Sequence, residues 1–361
     1  MTNFFRFLRS PKKEPPMNPQ PIQQEQPAEK RGHLPHLRRI RNRKPSFEIQ
    51  DRDVEMLHAI SIDRATTATM LKLLFPPDKA KTPPHVFTDK PKRSGTNIDR
   101  RLSGLFHYGY VERIRTELGG ELFYLLTSKG VQLLMEKQLP LPLELTVVEK
   151  AKTPKRMYLE HSAMVAHFRT AMICANREHP SLQLDHYERE ATDLKADWKR
   201  EDKRIYVNPD AFFILKNTAE PEGRNRQAYF LEADRSTMHL ARLMEKFARY
   251  SLMYADRVQL QAFGVPNFRV LTVCKSKERA GNLLSFLANT KTVELELYDT
   301  KTKTRSREKY EFPEDHKSFF FFTSEEAYTE KPQNIFAEIW KRPDDPKPFR
   351  SILRADPLPV R

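Results

Sequence analysis

Two short apolar runs with acidic residues at matching ends constrain the fold of this chain more than any other feature. The runs cover residues 211–215 and 228–231, and a polar loop containing Pro221 and Gly223 separates them. Acidic residues stand where the first run begins and where the second ends: Asp210, Glu232 and Asp234. Apolar runs of strand length divided by turn-forming residues predict a β-hairpin, and its acidic residues can then meet at one end.

Carboxylates that converge at the end of a hairpin indicate a site for a hard divalent cation, because oxygen ligands suit Mg²⁺. We therefore expect Asp210 and Glu232 to bind Mg²⁺, with Asp234 either a third ligand or the partner of Arg235. The same residues allow a structural alternative. In that case Asp210 only caps a turn, while Glu232 and Asp234 pair with Arg235 or Arg242 on a folded but inert domain.

The net charge of +15 at pH 7 makes a polyanion the first partner to consider. The 361 residues leave room for two domains plus tails. No apolar stretch reaches the roughly 18 residues of a membrane span, and the N-terminus, which is interrupted by arginine, is unlike a signal peptide. We expect a cytoplasmic protein that does not contact a membrane.

Several other classes of site lack their sequence signals. The cysteines Cys174 and Cys274 are not spaced for zinc, and we expect free thiols rather than a disulfide. No glycine-rich loop followed by Lys and Ser or Thr is present, which argues against an NTPase. The Gly-x-Ser-x-Gly nucleophile motif is absent as well. Apart from the candidate Mg²⁺, no cofactor is expected.

Residues 1–45 are rich in proline and polar residues, so we expect a disordered tail. Its last part is a basic run that includes Arg38 and Arg39. This run is either a solvated tail or an arm that binds DNA phosphates, and the sequence leaves both interpretations open.

Residues 46–137 show the pattern of a winged-helix DNA-binding domain. Helices are predicted from about residue 51, over 66–75 and over 96–107, and Gly119-Gly120 then marks a hairpin between two apolar-rich segments. A final helix is predicted to start near Ser128. In a winged helix the third helix enters the major groove of duplex DNA, and the hairpin lies along the backbone.

The predicted third helix presents polar side chains opposite its apolar stripe. Asn97, Arg100 and Arg101 are among them, and both residue types can form bidentate contacts with base edges. We expect these three residues, together with Arg38 and Arg39, to bind double-stranded DNA. The alternative is that Arg100 and Arg101 are ordinary exposed charges on a packing helix.

Prolines at 140, 142 and 154 predict a linker over 138–156, and a second domain follows over 157–330. Its predicted order is helix, three strands, helix, strand, helix and strand, with residues 205–215 read as one strand. Residues 331–361 are expected to form a C-terminal tail. The expected fold class is α+β, with an N-terminal winged helix and a C-terminal α/β domain built on a mixed sheet.

This order of elements resembles the restriction-endonuclease-like, or PD-(D/E)xK, superfamily. The first acid of its motif matches Asp210 and the second matches Glu232, but Asp234 stands where its lysine is expected. The resemblance implies that a lysine from the following helix can take over this role. Lys246 is the candidate, because it shares a helical face with Tyr250.

The same resemblance implies a set of catalytic residues: Asp210, Glu232, Asp234 and Lys246. An acid from the first helix of the domain often completes such a site, and Glu160 fits that position as a further metal ligand. Glu188 or Glu190 are candidates for outer positions around the site.

More narrowly, residues 50–330 resemble the plasmid replication-relaxation family of bacteria and their mobile elements. The resemblance rests on short motifs in a shared order: Arg52-Asp-Val-Glu-Met-Leu57, Arg100-Arg-Leu-Ser-Gly-Leu105, Tyr124-Leu-Leu-Thr-Ser-Lys-Gly130, His161, Pro209-Asp210 and Glu232-Ala-Asp-Arg-Ser-Thr237. It implies a winged-helix module joined to a nuclease-like domain. The family pattern carries Glu-x-Asp rather than Glu-x-Lys, so the resemblance alone does not imply catalysis.

The function expected from the sequence is DNA binding in the replication, relaxation or transfer of a plasmid or mobile element. Double-stranded DNA and proteins of replication or conjugation are the expected partners. One alternative for the C-terminal domain is a Mg²⁺-dependent DNA endonuclease. The other is a non-catalytic accessory factor or transcriptional regulator, in which a nuclease-like fold only binds a partner.

Overall fold

The computed structural model describes residue 39 and residues 47–76, 96–115, 120–142, 156–189 and 195–353. These residues form a mixed α+β structure with three β-sheets. No helix among them is long and apolar enough to span a membrane.

The N-terminal elements follow the predicted order of three helices, a hairpin and a fourth helix. They are α1 (Asp51–Asp63), β1 (Thr66–Thr67), α2 (Ala68–Leu74), α3 (Thr96–His107), β2 (Val111–Arg115), β3 (Leu122–Leu126) and α4 (Ser128–Glu136). Strand β3 lies between β1 and β2 and is antiparallel to both. The apolar stripes predicted for α1 and α3 are buried in one core. The order is therefore confirmed, while the winged-helix class stays a prediction.

Helix α3 packs closely against the segment that precedes α1, and Gly104 permits the approach. A Cβ atom added at Gly104 would lie 2.1 Å from Cε2 of Phe47. The Phe47 ring is itself held in place, because it stacks on Tyr108 with 5.1 Å between ring centroids and lies 4.2 Å from the Arg101 guanidinium carbon. The ring cannot give way without losing both contacts.

We expect Gly104→Ala to destabilise the protein by about 1–3 kcal/mol, because the added methyl group overpacks this contact. Gly281 is the matched control, since it lies in a helix and a Cβ atom added there meets nothing within 4 Å. Gly281→Ala should stabilise the protein by about 0.5–1 kcal/mol through backbone entropy. Urea denaturation measures both changes, and an equal effect of the two substitutions would contradict the packing described.

A five-stranded mixed sheet forms the centre of the C-terminal part. Its strands are β4 (Leu182–Arg189), β7 (Ala211–Asn217), β8 (Arg226–Asp234), β9 (Phe268–Cys274) and β12 (Phe320–Ser324), in the spatial order β12-β9-β8-β7-β4. Strand β7 is antiparallel to both of its neighbours, β4 and β8, whereas β8, β9 and β12 run parallel. The predicted hairpin of residues 211–215 and 228–231 is therefore confirmed as β7 and β8.

Helices cover both faces of this sheet, so β7, β8, β9 and β12 bury side chains on both faces, whereas the edge strand β4 is partly exposed. They are α5 (Arg156–Glu178), α6 (Leu240–Ala255), α7 (Val258–Phe263), α8 (Lys277–Asn289) and the short α9 (Glu326–Thr329). Because side chains alternate along a strand, Phe213 and Tyr229 join the core with α5, whereas Phe212 and Phe230 join the core with α6 and α8.

A second sheet stands beside the central one and was not predicted. Its strands are β5 (Ala196–Arg200), β6 (Lys203–Val207), β10 (Thr292–Asp299) and β11 (Arg305–Glu311), in the order β11-β10-β6-β5. The single strand predicted over residues 205–215 is wrong, because β6 ends at Val207 and β7 begins at Ala211 in the other sheet. Pro209 lies between them, and proline cannot donate a ladder hydrogen bond.

The chain remains packed beyond residue 330, where the sequence indicated a tail. Trp340 and Ile352 are fully buried in the core that contains α5. The Trp340 ring nitrogen donates to the Ile335 carbonyl at 3.0 Å, and residue 322 of β12 forms a β-bridge with residue 341. Residues 331–353 are thus part of the folded structure, and residues 354–361 lie outside the described ranges.

Buried polar contacts join the helices of 46–137 to α5 and β4. Asp63, at the end of α1, has a fully buried side chain and accepts a 3.1 Å hydrogen bond from Nη1 of Arg169. Arg189 of β4 donates to the Asp63 carbonyl, and Arg177 donates to the Leu73 carbonyl at 2.7 Å. Most of the predicted tail 1–45 and the linker residues 143–155 lie outside the described ranges. The proposed domain boundaries stay predictions.

Candidate functional site

Asp210 lies at the point where the chain enters β7, and it links β7 to both β8 and α5. Its backbone N–H donates to the Leu231 carbonyl at 3.0 Å. Its Oδ2 accepts the Ala233 N–H at 2.7 Å, and its Oδ1 lies 3.3 Å from Nε2 of His161. These contacts place the Asp210 carboxylate next to the end of β8, as the hairpin predicted.

Glu232 is the second acid, and its side chain is held by two residues of α6. Lys246 donates to Oε2, and the Tyr250 hydroxyl donates to Oε1 at 2.5 Å. Lys246 and Tyr250 are four residues apart and therefore project from the same face of the helix. The Glu232 side chain is only 5% exposed, and that of Lys246 is 21% exposed. A lysine from the helix after β8 thus contacts the second acid, while the catalytic role expected of Lys246 stays a prediction.

The two carboxylates differ in their protonation behaviour. Burial raises the pKa of Glu232 to about 7, and the neighbouring charge of Asp210 adds to this, although Lys246 and Tyr250 act in the opposite direction. Burial also acts on Asp210, but Lys246, His161 and the Ala233 N–H outweigh it and hold the pKa of Asp210 below its ordinary value. Near neutral pH, Asp210 is ionised while Glu232 is poised between its two forms.

Asp234 does not join this cluster. Its Oδ2 accepts a 2.6 Å bond from Nε of Arg279 on α8, and its side chain is only 2% exposed. Its Oδ1 accepts the Ser236 N–H at 3.3 Å. The expected partner Arg235 instead donates to Glu160 at 2.6 Å. Asp234 therefore stabilises the packing of α8 against β8 through its ion pair with Arg279.

The remaining acids predicted near the site, Glu160, Glu188 and Glu190, do not share one environment. Glu160 accepts a second bond, from Arg156 at 2.7 Å, so both of its carboxylate oxygens are engaged by arginines. Glu188 lies 3.5 Å from Nε2 of His186. Glu190 lies outside the described residues.

The donor chemistry of Asp210 and Glu232 fits a divalent cation, since both supply carboxylate oxygens. Burial is the main cause of the raised pKa of Glu232, and the positive charge of Lys246 offsets it only in part. Within the described ranges, no group of three or more His, Cys, Asp or Glu side chains is arranged to hold a metal ion.

An open cleft of about 800 Å³ adjoins Asp210, whereas Glu232 is buried behind it and does not line the cleft. Asp210 and Lys246 line it together with residues of α6, β10 and β11. Arg242 lies one helical turn before Lys246, is exposed, and forms no side-chain hydrogen bond or ion pair with the described residues. The cleft therefore contains the cationic side chain of Arg242 as well as the Asp210 carboxylate.

The residues predicted to contact DNA fall into two groups. Asn97 and Arg100 are exposed on α3, and their side chains form no hydrogen bond or ion pair with the described residues. Arg101 is instead bound to Asp53 and donates to the Glu48 carbonyl at 2.7 Å. Arg39 is similarly engaged, with Glu112 and with the Phe106 carbonyl at 3.0 Å. Arg38 lies outside the described residues.

Two contacts of the site were not predicted. His161 was noted in the sequence only as part of a motif, and its position at Asp210 depends on the packing of α5 against the sheet. Arg279 lies 45 residues from Asp234 in the chain, and no local pattern relates the two.

Comparison with known proteins gives one finding. A family model described as replication-relaxation matches residues 65–266, which is more than half of the chain. No curated protein and no solved structure gives a significant match.

Proposed function

We propose, because the chain belongs to the replication-relaxation family, that it binds DNA in the replication, relaxation or transfer of a plasmid or another mobile element. The high positive charge and the exposed Asn97 and Arg100 of α3 support this role. In this proposal the N-terminal elements act as a winged helix that binds duplex DNA.

The second part of the proposal concerns Asp210 and Glu232, which bind Mg²⁺ and bring a DNA phosphodiester into the adjoining cleft. One observation carries this part. Lys246 contacts Glu232 from α6, which supports a role for it like that of the PD-(D/E)xK lysine, although Asp234 stands at the position of that lysine in the sequence. The order of strands in the central sheet is consistent with such a fold.

Each side chain of the site has a distinct role in this proposal. A bound cation would lower the pKa of a coordinated water and stabilise charge on a phosphate. His161 and the Ala233 N–H hold the Asp210 carboxylate in place, and Tyr250 holds that of Glu232. Lys246 orients water or contacts the phosphate once the cation shares the charge of Glu232.

A second candidate is an accessory factor with an inert nuclease-like domain. Two observations favour it: Asp234 is committed to Arg279, and both oxygens of Glu232 already accept hydrogen bonds within the protein. In that case the ion pair of Lys246 and Glu232 only fastens α6 to the sheet.

Cation binding is expected to stabilise the folded protein, because the ion binds the assembled carboxylates and not the unfolded chain. At a Mg²⁺ or Mn²⁺ concentration of about 100 times Kd, the gain is about 2.7 kcal/mol. Asp210→Asn should abolish this gain, and Glu160→Gln should leave it intact, because Glu160 is bound by two arginines. Differential scanning calorimetry with and without the cation measures the difference.

Cleavage is tested separately, on supercoiled plasmid and on single-stranded DNA. Nicking that requires the cation and disappears in Asp210→Asn and Glu232→Gln supports the phosphodiesterase. A cation-dependent gain in stability without nicking would indicate that the site binds the cation and DNA phosphates but does not cleave DNA. If neither effect occurs, the accessory factor is the correct description.

A further inference from the structure

The outer face of the second sheet carries exposed aromatic side chains. Of the three tyrosines among the large apolar side chains exposed in the described ranges, two lie on this sheet: Tyr206 is 45% exposed and Tyr298 is 40% exposed. Their neighbours Ile205 and Leu297 are buried, because side chains alternate between the two faces of a strand. The sheet therefore needs neither tyrosine for its own core.

Cationic side chains surround these rings. Tyr298 lies directly across from Arg204 on β6 and from Arg305 on β11. The Tyr206 ring centroid lies 4.6 Å from the Lys195 ammonium nitrogen and 4.9 Å from the Arg249 guanidinium carbon. All six of these residues line one groove on the outside of the sheet.

This groove continues into the cleft beside Asp210 and Lys246, since Tyr206, Arg249 and Arg305 line both. Along the combined surface, cationic side chains outnumber carboxylates by seven to four. All three arginines of the groove are paired, Arg204 with Asp197, Arg249 with Glu245 and Arg305 with Glu296, but Arg204 and Arg305 are 49% and 76% exposed in their pairs. Such surface pairs contribute little, and a phosphate can compete for the arginine.

We propose that this groove binds a single unpaired DNA strand and leads it to Asp210 and Lys246. Bases stack on Tyr206 and Tyr298, and the arginines contact the phosphates. Exposed aromatic rings beside a cationic groove suit unpaired bases, because the bases of a duplex are stacked on each other and offer no free face. The inference deepens the proposed function, since it gives the site in the cleft a single strand as its substrate while α3 binds the duplex.

Fluorescence anisotropy with a fluorescein-labelled oligomer of 20 thymidines tests the groove, in EDTA so that no cation site is needed. The double variant Tyr206→Ala, Tyr298→Ala should lose about tenfold or more in affinity, as expected when stacking is removed. The variant with phenylalanine at both positions should bind within about twofold of the parent protein, because it keeps the rings. Tyr158→Ala, which removes a tyrosine that is 39% exposed outside the groove, is the control and should have no effect.

Equal affinity of the alanine variant and the parent protein would overturn the proposal. A loss in the phenylalanine variant as large as in the alanine variant would also overturn it, because hydroxyl groups would then carry the binding. Thermal melting of each variant verifies that it is folded. If the double variant is not folded, the anisotropy measurement is made with the single variant Tyr298→Ala instead. If the groove does not bind the single strand, the stabilisation of the protein by Mg²⁺ or Mn²⁺ is unaffected. Failure of the groove proposal can therefore be told apart from failure of the cation site.

Discussion

Replacing Lys246 with methionine is expected to destabilise the protein strongly at alkaline pH and only weakly at acidic pH. Methionine keeps the apolar stem of the side chain but removes the cation that faces the buried Glu232. Breaking a buried ion pair by removing one partner costs about 3–5 kcal/mol when the remaining charge cannot be relieved. Here protonation of Glu232 relieves it at low pH.

The direction of the pH dependence follows from the raised pKa of Glu232. In the folded parent protein this pKa is about 7, against an ordinary value of 4.5. The stability that Glu232 gives is therefore fully present below pH 4.5 and is lost as the pH rises through 7. The shift corresponds to roughly 3 kcal/mol. Without Lys246 the pKa rises further, so the difference between variant and parent grows from pH 5 to pH 9.

Two comparisons isolate the effect of the Lys246 substitution. The double variant Lys246→Met, Glu232→Gln removes both charges and should recover most of the loss at high pH. Lys301→Met breaks an ion pair with Asp202 whose two side chains are 74% and 45% exposed, and it should leave the stability almost unchanged at any pH. Urea denaturation at several pH values gives the free energies of unfolding. A loss in Lys246→Met that does not change with pH would contradict the assignment.

Duplex DNA binding is expected to be strongly salt-sensitive, and Arg100 and Arg101 are expected to contribute in different ways. If several phosphates are neutralised, the affinity should fall on the order of 10³-fold between 50 mM and 200 mM salt. Arg100→Ala should lower the affinity at each salt concentration without changing stability, because its side chain is exposed on α3. Arg101→Ala should instead destabilise the fold, because it leaves Asp53 buried, with a side chain only 1% exposed, and without its ion-pair partner.

Anisotropy with a labelled duplex and thermal melting of the same samples separate the two effects. Unchanged duplex affinity in Arg100→Ala would remove α3 from the DNA interface. Unchanged melting in Arg101→Ala would show that its contact with Asp53 does not stabilise the N-terminal elements.

The parts of the site that the sequence predicts are those that depend on short-range periodicity. The register of β7 against β8 follows from two apolar runs and a turn, and it brings Asp210 to Glu232. The spacing of four residues between Lys246 and Tyr250 fixes a shared helical face. The contact between Asp234 and Arg279 depends on how α8 packs against the sheet, and alternation within β8 cannot reveal it.

The second sheet and the C-terminal segment escaped prediction for other physical reasons. Strand β10 alternates the buried Val293, Leu295 and Leu297 with polar residues, so its sequence did carry a strand signal, whereas β11 is mostly charged and carries none. The segment after residue 330 is short of regular structure but buries Trp340 and Ile352. Burial of single large side chains leaves no periodic pattern in a sequence.

The break between β6 and β7 has a mechanical consequence. Three residues, 208–210, connect a strand of the second sheet to a strand of the central sheet, and the last of them is Asp210. Strand β6, which lines the cleft through Tyr206 and Val207, is thus joined to Asp210 by a connection too short to let the two move independently. Any rotation of the second sheet about this hinge must also shift the Asp210 backbone, so the width of the cleft and the position of its carboxylate are set together.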